Sequence, residues 1–280
     1  MKNNLIQPFV KWVGGKRQLL SEIKEYIPKG NFKYYEPFVG GGAVFFSLQR
    51  KNAVINDLNS ELINVYEVIK NDVEGLIRSL MNHKITEKYY YELRSEDRSE
   101  EYKTYSKVKK ASRFIYLNKT CYNGLYRVNS SGYFNTPFGK YKNPNVVNDT
   151  VLRTVHKYLN ESRIAIRNVD FEEALKGIRK NSFVYFDPPY DPVSDSSNFT
   201  GYTASGFNRD EQIRLKKLCD KLNKKGVKFL LSNSNTEFIR ELYKDYNDKI
   251  KVVGATRAIN SKATKRGEVE EVLIRNYDLE

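Results

Sequence analysis

Apolar residues in this 280-residue chain follow two rhythms. The first is a set of short runs, each closed by a proline, an acid or a glycine. Tyr34-Tyr35 leads into Glu36-Pro37, Ala53-Val54-Ile55 into Asn56-Asp57, Ile164-Ala165-Ile166 toward Asp170, and Phe183-Val184-Tyr185-Phe186 into Asp187-Pro188-Pro189. With Val227 to Leu231, these runs are short, β-branched and aromatic, so they predict strands. The second rhythm has helical spacing. Leu19, Leu20, Ile23 and Ile27 stop at Pro28 and Gly30, and Leu62, Ile63, Tyr66 and Ile69 follow Asn59 or Ser60 as a cap. Residues 207–225 and 235–246 predict further helices, while 250–253 and 269–274 predict a closing hairpin. Strands and helices that alternate in this way make an α/β sheet protein.

From about Ile69 to Leu159 the strand rhythm disappears, and the chain turns helical and rich in Tyr and Lys. We read 61–159 as an insertion into a sheet domain made of 1–60 and 160–280. Within it, Asn118 to Gly132 has the composition of a loop or hairpin. Phe114, Tyr116 and Leu117, on one helical stripe, are expected in the core. Two polar stretches are expected as long loops: Pro192 to Gly206, with Phe199 and Tyr202, and the hairpin loop carrying Arg257, Asn260, Ser261, Lys262, Lys265 and Arg266.

Charge changes this picture. The formal net charge is +14, and Lys103 to Lys157 holds eleven Lys/Arg against the single acid Asp149. Basic side chains interleaved with aromatics are the expected footprint of a nucleic-acid partner. The apolar runs are far too short to span a bilayer, and Met1-Lys2-Asn3-Asn4 opens no signal-type segment, so a cytoplasmic, DNA-associated protein is expected. Two cysteines and two histidines lie scattered, which argues against a zinc site, and no metal is expected.

Chemistry concentrates at three turns. Asp187 and Tyr190 project from a Pro-Pro turn at a strand's carboxyl end, where open α/β sheets bind ligands. A carboxylate and a backbone carbonyl accepting both N–H bonds of an exocyclic base amine would release its delocalised lone pair. Tyr190 offers a face on which a base can stack. Gly40-Gly41-Gly42 costs backbone entropy that a plain turn does not need, which fits a close approach to a ligand. Asp57, at the end of the next strand, stands where an acid takes ribose hydroxyls. The third turn, Gly14-Gly15-Lys16, opens a helix with free N–H groups and an ammonium, a seat for an anion.

Taken together, Lys-Trp-Val-Gly-Gly-Lys, Glu-Pro-Phe-Val-Gly-Gly-Gly, Ile-Asn-Asp, Tyr-Asn-Gly-Leu-Tyr-Arg-Val-Asn and Phe-Asp-Pro-Pro-Tyr resemble the Dam-type DNA adenine-N6 methyltransferases, in the same order and almost end to end. The resemblance implies a Rossmann-like methyltransferase sheet with an inserted, mainly helical DNA-recognition domain. It also implies S-adenosylmethionine as cofactor and double-stranded DNA as partner, commonly at GATC. A monomer is expected, with a dimer on DNA as the alternative that the sequence leaves open. It places Trp12, Lys16, Phe38, Gly40, Gly42, Asp57, Asp170 and Asp187 at the cofactor. Asp187, the Pro188 carbonyl and Tyr190 fall at the flipped adenine, and Asn123, Leu125, Arg127, Asn129, Pro137 and Tyr141 match the DNA-reading region. Tyr122 joins that region as a residue able to wedge between base steps. Cytosine-N4 methylation uses similar chemistry. Glutamine methylation of proteins leaves the basic insertion without purpose, and a non-catalytic nucleic-acid-binding protein leaves Asp57 and Asp187 without one.

Overall fold

The structure is a computed structural model that describes residues 2–192, 206–256 and 268–279. Its parallel strands are β1 (Lys33–Glu36), β2 (Asn52–Asn56), β3 (Arg163–Arg167), β4 (Ser182–Phe186) and β5 (Lys228–Ser234). β6 (Ile250–Thr256) and β7 (Glu268–Arg275) complete one sheet of order β3-β2-β1-β4-β5-β7-β6, with β7 antiparallel to both neighbours. From β1 the chain builds outward through β2 and β3, then returns to lay β4 against the other side of β1. The order therefore reverses between β1 and β4, and a crevice opens outside their carboxyl ends.

Successive side chains of a strand face opposite ways, and here both faces are covered. Tyr34, Ala53, Ile55, Phe183 and Tyr185 join one apolar cluster, while Tyr35, Val54, Val184 and Phe186 join the other. The first cluster takes in α1 (Leu20–Glu25), α2 (Ala43–Leu48), α3 (Ser60–Asn71), α7 (Lys107–Thr120) and α8 (Asp149–Glu161). The second takes in α9 (Arg209–Lys224) and α10 (Glu237–Leu242). Every residue of β4 is buried, as its unbroken apolar run requires, and each large side chain in it contributes about 2–3 kcal/mol by leaving water.

The segment 61–159 comprises most of α3, then α4 (Val73–Met81), α5 (Glu87–Ser95), α6 (Glu101–Thr104), α7 and most of α8. Its core is continuous with that of the sheet: Leu76, Leu80, Phe114 and Leu117 belong to the cluster that holds Tyr34 and Ile55. Asn59 caps α3, its side chain accepting from the Leu62 N–H, and Tyr66 on α3 donates to the Gly40 carbonyl at 3.0 Å. Phe114, Tyr116 and Leu117 are in the core, as their spacing predicts. The loop expected from Asn118 begins later, because α7 runs on to Thr120 and buries Asn118 and Thr120. No described helix is long and apolar enough to cross a membrane. Most of the polar stretch after Pro192, including Phe199 and Tyr202, lies outside the described residues, as do the hairpin cations from Arg257 to Arg266.

Candidate active site

β4 delivers Asp187-Pro188-Pro189-Tyr190 to the crevice. Lys16 reaches it from the turn before α1, where Gly14 holds φ +75° and a Cβ on Gly15 would sit 3.0 Å from the Trp12 carbonyl. The Lys16 ammonium donates to the Gly14 carbonyl at 2.7 Å and lies 2.9 Å from Asp187 Oδ1, with only 5% of its side chain exposed. It also stands 4.6 Å from the centroid of the Tyr190 ring and 3.9 Å from Glu271 on β7. The Tyr190 hydroxyl donates to Glu271 Oε2 at 2.8 Å. Burial pushes the Asp187 carboxyl above the ordinary aspartate range, Lys16 pulls it back down, and Glu271 raises it again. The cation therefore helps keep a buried carboxylate ionised and able to accept hydrogen bonds.

Beneath the turn lies a polar network with no obvious signal in the sequence. Gln212 on α9 donates to the Pro189 carbonyl at 2.8 Å and accepts from Asn233 at 3.0 Å. Asp191, whose side chain is fully buried, pairs with Arg209 and accepts from the Thr236 hydroxyl. Among the described residues no donor reaches the Pro188 carbonyl, so it stays available while its neighbour is held.

Asp57 ends β2 and points back to the glycine turn. Its Oδ2 accepts from the Gly40 N–H and its Oδ1 from the Asn59 N–H, both at 2.9 Å. Burial raises its pKa and these backbone donors oppose the rise. No described cation pairs with it, so its remaining lone pairs suit neutral hydroxyl donors, as a ribose would supply. Phe38 forms an apolar wall nearby, with its ring centroid 5.4 Å from Phe171 and 5.7 Å from Phe207. An acceptor beside aromatic surface fits a nucleoside cofactor. Asp170 is next to Phe171, but its carboxylate pairs with Arg214 and accepts from the Glu172 N–H.

The glycines prove to be packed by the protein itself. A Cβ on Gly40 would meet the Trp12 indole at 2.7 Å, and one on Gly42 would meet the Tyr66 hydroxyl at 2.6 Å. Both hold positive φ, which side chains other than glycine's resist. Trp12 in turn stacks on Tyr126, with centroids 5.6 Å apart. Sequence reasoning also missed Glu36, the buried end of β1, which accepts from the Tyr34 hydroxyl at 2.5 Å and whose pKa burial drives well up.

The DNA-reading candidates form neighbouring groups. The Tyr122 N–H donates to the Pro137 carbonyl at 2.8 Å and Cys121 bridges Phe138, which brings exposed Tyr122, Asn123 and Pro137 to one tip. Asn123 takes φ +55° there. Leu125, Arg127 and Asn129 sit on a hairpin closed by the Val128–Phe134 bridge. Arg127 Nε donates to Asn135 Oδ1 at 2.7 Å, so a residue absent from the sequence reading aims the guanidinium. Asn129 Oδ1 accepts from the Ser131 and Tyr133 N–H groups and so shapes the turn. Tyr141 lies under the Lys11 ammonium at 4.9 Å. Lys11, Arg17 and Lys119 have no ion-pair partner among the described residues, and Arg17 and Lys119 line a cavity of about 140 Å³. Burial and these neighbouring cations lower the Lys119 pKa to about 8.

Comparison with known proteins identifies this arrangement. The chain is 46% identical to the type II methyltransferase M1.LlaDCHI of Lactococcus lactis subsp. cremoris, over 99% of this chain and 98% of that one. It is also 46% identical to the type II methyltransferase M.MjaIII of Methanocaldococcus jannaschii, over 97% and 99% of the two chains. With the DNA adenine methylase of Escherichia coli K12 it shares 34% identity over 98% and 95%. Residues 12–259, from Trp12 past the Asp187 turn, match the sequence profile of one family, and the chain belongs to the D12 class of N6 adenine-specific DNA methyltransferases.

Proposed function

We propose that this methyltransferase acts on an adenine flipped out of duplex DNA, within the sequence GATC, and that the residues around the β1–β4 crevice divide the work. The observation that carries this reading is the turn after β4. Asp187 is held by Lys16, the Pro189 carbonyl is occupied by Gln212, and the Pro188 carbonyl is left without a described donor. Asp187 and the Pro188 carbonyl would accept the two N–H bonds of the target amine, pulling it from planar toward tetrahedral and freeing its lone pair. One face of Tyr190 carries the Lys16 ammonium, and the adenine would stack on the other. Extruding the base costs a few kcal/mol, which these contacts offset.

S-adenosylmethionine, when bound, supplies a methyl group on a positively charged sulfur. On this reading Asp57 accepts its ribose hydroxyls, Phe38 and Trp12 give it apolar cover, and Asp170 lies toward its adenine. Gly40 and Gly42 let the turn that bonds Asp57 pack as closely as it does. Lys16, 2.9 Å from Asp187, opposes the upward pKa shift that burial imposes on its carboxyl. Catalysis then rests on position and electrostatics.

Residues 61–159 would serve as the target-recognition part. Arg127, aimed by Asn135, suits the guanine edge, and Tyr122 at the exposed tip suits insertion between base steps. Asn123, Leu125, Asn129, Pro137 and Tyr141 would complete the surface. The test is methyl transfer from labelled S-adenosylmethionine to duplexes carrying GATC and each of its single-base variants. Incorporation confined to GATC supports the assignment. Equal incorporation in the variants removes GATC and leaves the adenine chemistry in place.

A further inference from the structure

The parallel strands begin at the pole of the sheet opposite the catalytic turn, and a cation stands at each beginning. β1 starts at Lys33, β2 follows Lys51, β3 starts at Arg163, β4 is preceded by Lys180, and β5 by Lys225. Strand register sets them side by side. Arg163 pairs with Asn52, the residue after Lys51, and its N–H donates to the Lys51 carbonyl at 2.7 Å. Lys33 pairs with Ser182, two residues beyond Lys180, and Phe183 pairs with Lys228, three beyond Lys225. Neighbouring strands stand about 4.8 Å apart, so five of them spread these charges over about 19 Å. Duplex DNA carries one negative charge per about 1.7 Å of its axis, so the row spans about eleven phosphate charges.

None of the five cations has an ion-pair partner among the described residues. The stretch that looked most basic in sequence behaves differently. There Lys103, Lys107, Arg113, Arg153 and Lys157 are each paired with an acid, so part of the +10 net charge of that segment is neutralised. Helix dipoles explain some of the charge at the far pole. The carboxyl ends of α2 and α9 fall there and favour Lys51 and Lys225 just beyond them. The carboxyl end of α8, capped at Ser162, does the same for Arg163, so only Lys33 and Lys180 stand at strand beginnings with no helix end just before them.

We propose that this pole is a second, sequence-independent contact for duplex DNA, holding by its phosphates a segment other than the one at the catalytic turn. The methyltransferase's substrate is a long polyanion. A segment far along the contour can reach the back of the enzyme while its front is engaged, and the row matches that partner in sign and extent. The contact would raise the local concentration of DNA without reading bases.

The test replaces Lys51, Arg163, Lys180 and Lys225, all exposed, with Gln in one variant. The catalytic pole is first saturated with a short unlabelled cognate duplex, and binding of a second, labelled non-cognate duplex is followed by fluorescence anisotropy across a salt series. The wild-type protein is expected to bind the second duplex. The variant is expected to bind it about tenfold or more weakly at low salt, with the slope of log K against log salt flatter by about three to four. Methylation of the short cognate duplex serves as the control for folding and is expected to be unchanged. A wild-type protein that takes only one duplex would overturn the proposal. So would a variant that keeps wild-type affinity and slope for the second, or one that loses methylation of the short duplex along with it.

Discussion

Asp57→Asn tests the cofactor side at a single atom. Asp57 is held by the Gly40 and Asn59 N–H groups at 2.9 Å each, and no described cation neutralises it. The amide keeps the shape of the carboxylate but loses its charge and turns an NH2 group toward one of its former donors. A hydrogen bond to a charged acceptor is worth about 1.5–3 kcal/mol, so the dissociation constant for S-adenosylmethionine should rise about ten- to a hundredfold. Asp57→Ala should add a loss of thermal stability, because the Gly40 turn loses its anchor. Calorimetric titration gives the cofactor affinity, and anisotropy with a cognate duplex gives the DNA affinity, which should not change. Unaltered cofactor affinity in folded Asp57→Asn would refute the assignment of Asp57, and weakened DNA binding alone would move it to the wrong partner.

Other perturbations separate roles that composition treats alike. Arg127→Ala should cost about 1–3 kcal/mol on the cognate duplex and relax discrimination at one base pair. Lys142, exposed in the run Lys140-Tyr141-Lys142, suits phosphate, so Lys142→Ala should weaken cognate and non-cognate duplexes equally; binding to single-base mismatches across a salt series reads both. Lys16→Gln removes the charge that opposes the upward shift of Asp187. The Asp187 pKa should then rise further, so the variant should lose more activity at the acid end of the pH–rate profile than at the alkaline end. A profile of unchanged shape would show that Lys16 does not set the charge of Asp187.

The sheet was legible because its strands are short apolar runs with punctuated ends, and Asp57 and Asp187 stand at two of those ends. The glycine turn was legible as a special backbone, but not its cause: Trp12 and Tyr66 press on Gly40 and Gly42 from distant parts of the chain. Glu271 left only a faint trace, an acid on the strand face that also carries buried Leu273. Gln212 and Asn135 left none, since a neutral amide acquires its role only from the carbonyl or guanidinium that folding brings to it. Charge was read too locally. The acids that pair with the basic stretch include Glu67, Glu74 and Asp97, which lie before it in sequence and beside it in space.

In the proposed mechanism Asp187, held by Lys16 on its Pro-Pro turn, makes an adenine amine nucleophilic. Nucleoside analysis of duplex DNA, after incubation with S-adenosylmethionine and either wild-type protein or folded Asp187→Ala, tests that step. The expected result is N6-methyladenine from the wild-type protein and no methylated base from the variant. N4-methylcytosine from the wild type, or N6-methyladenine formed by the variant at a near-normal rate, would contradict it.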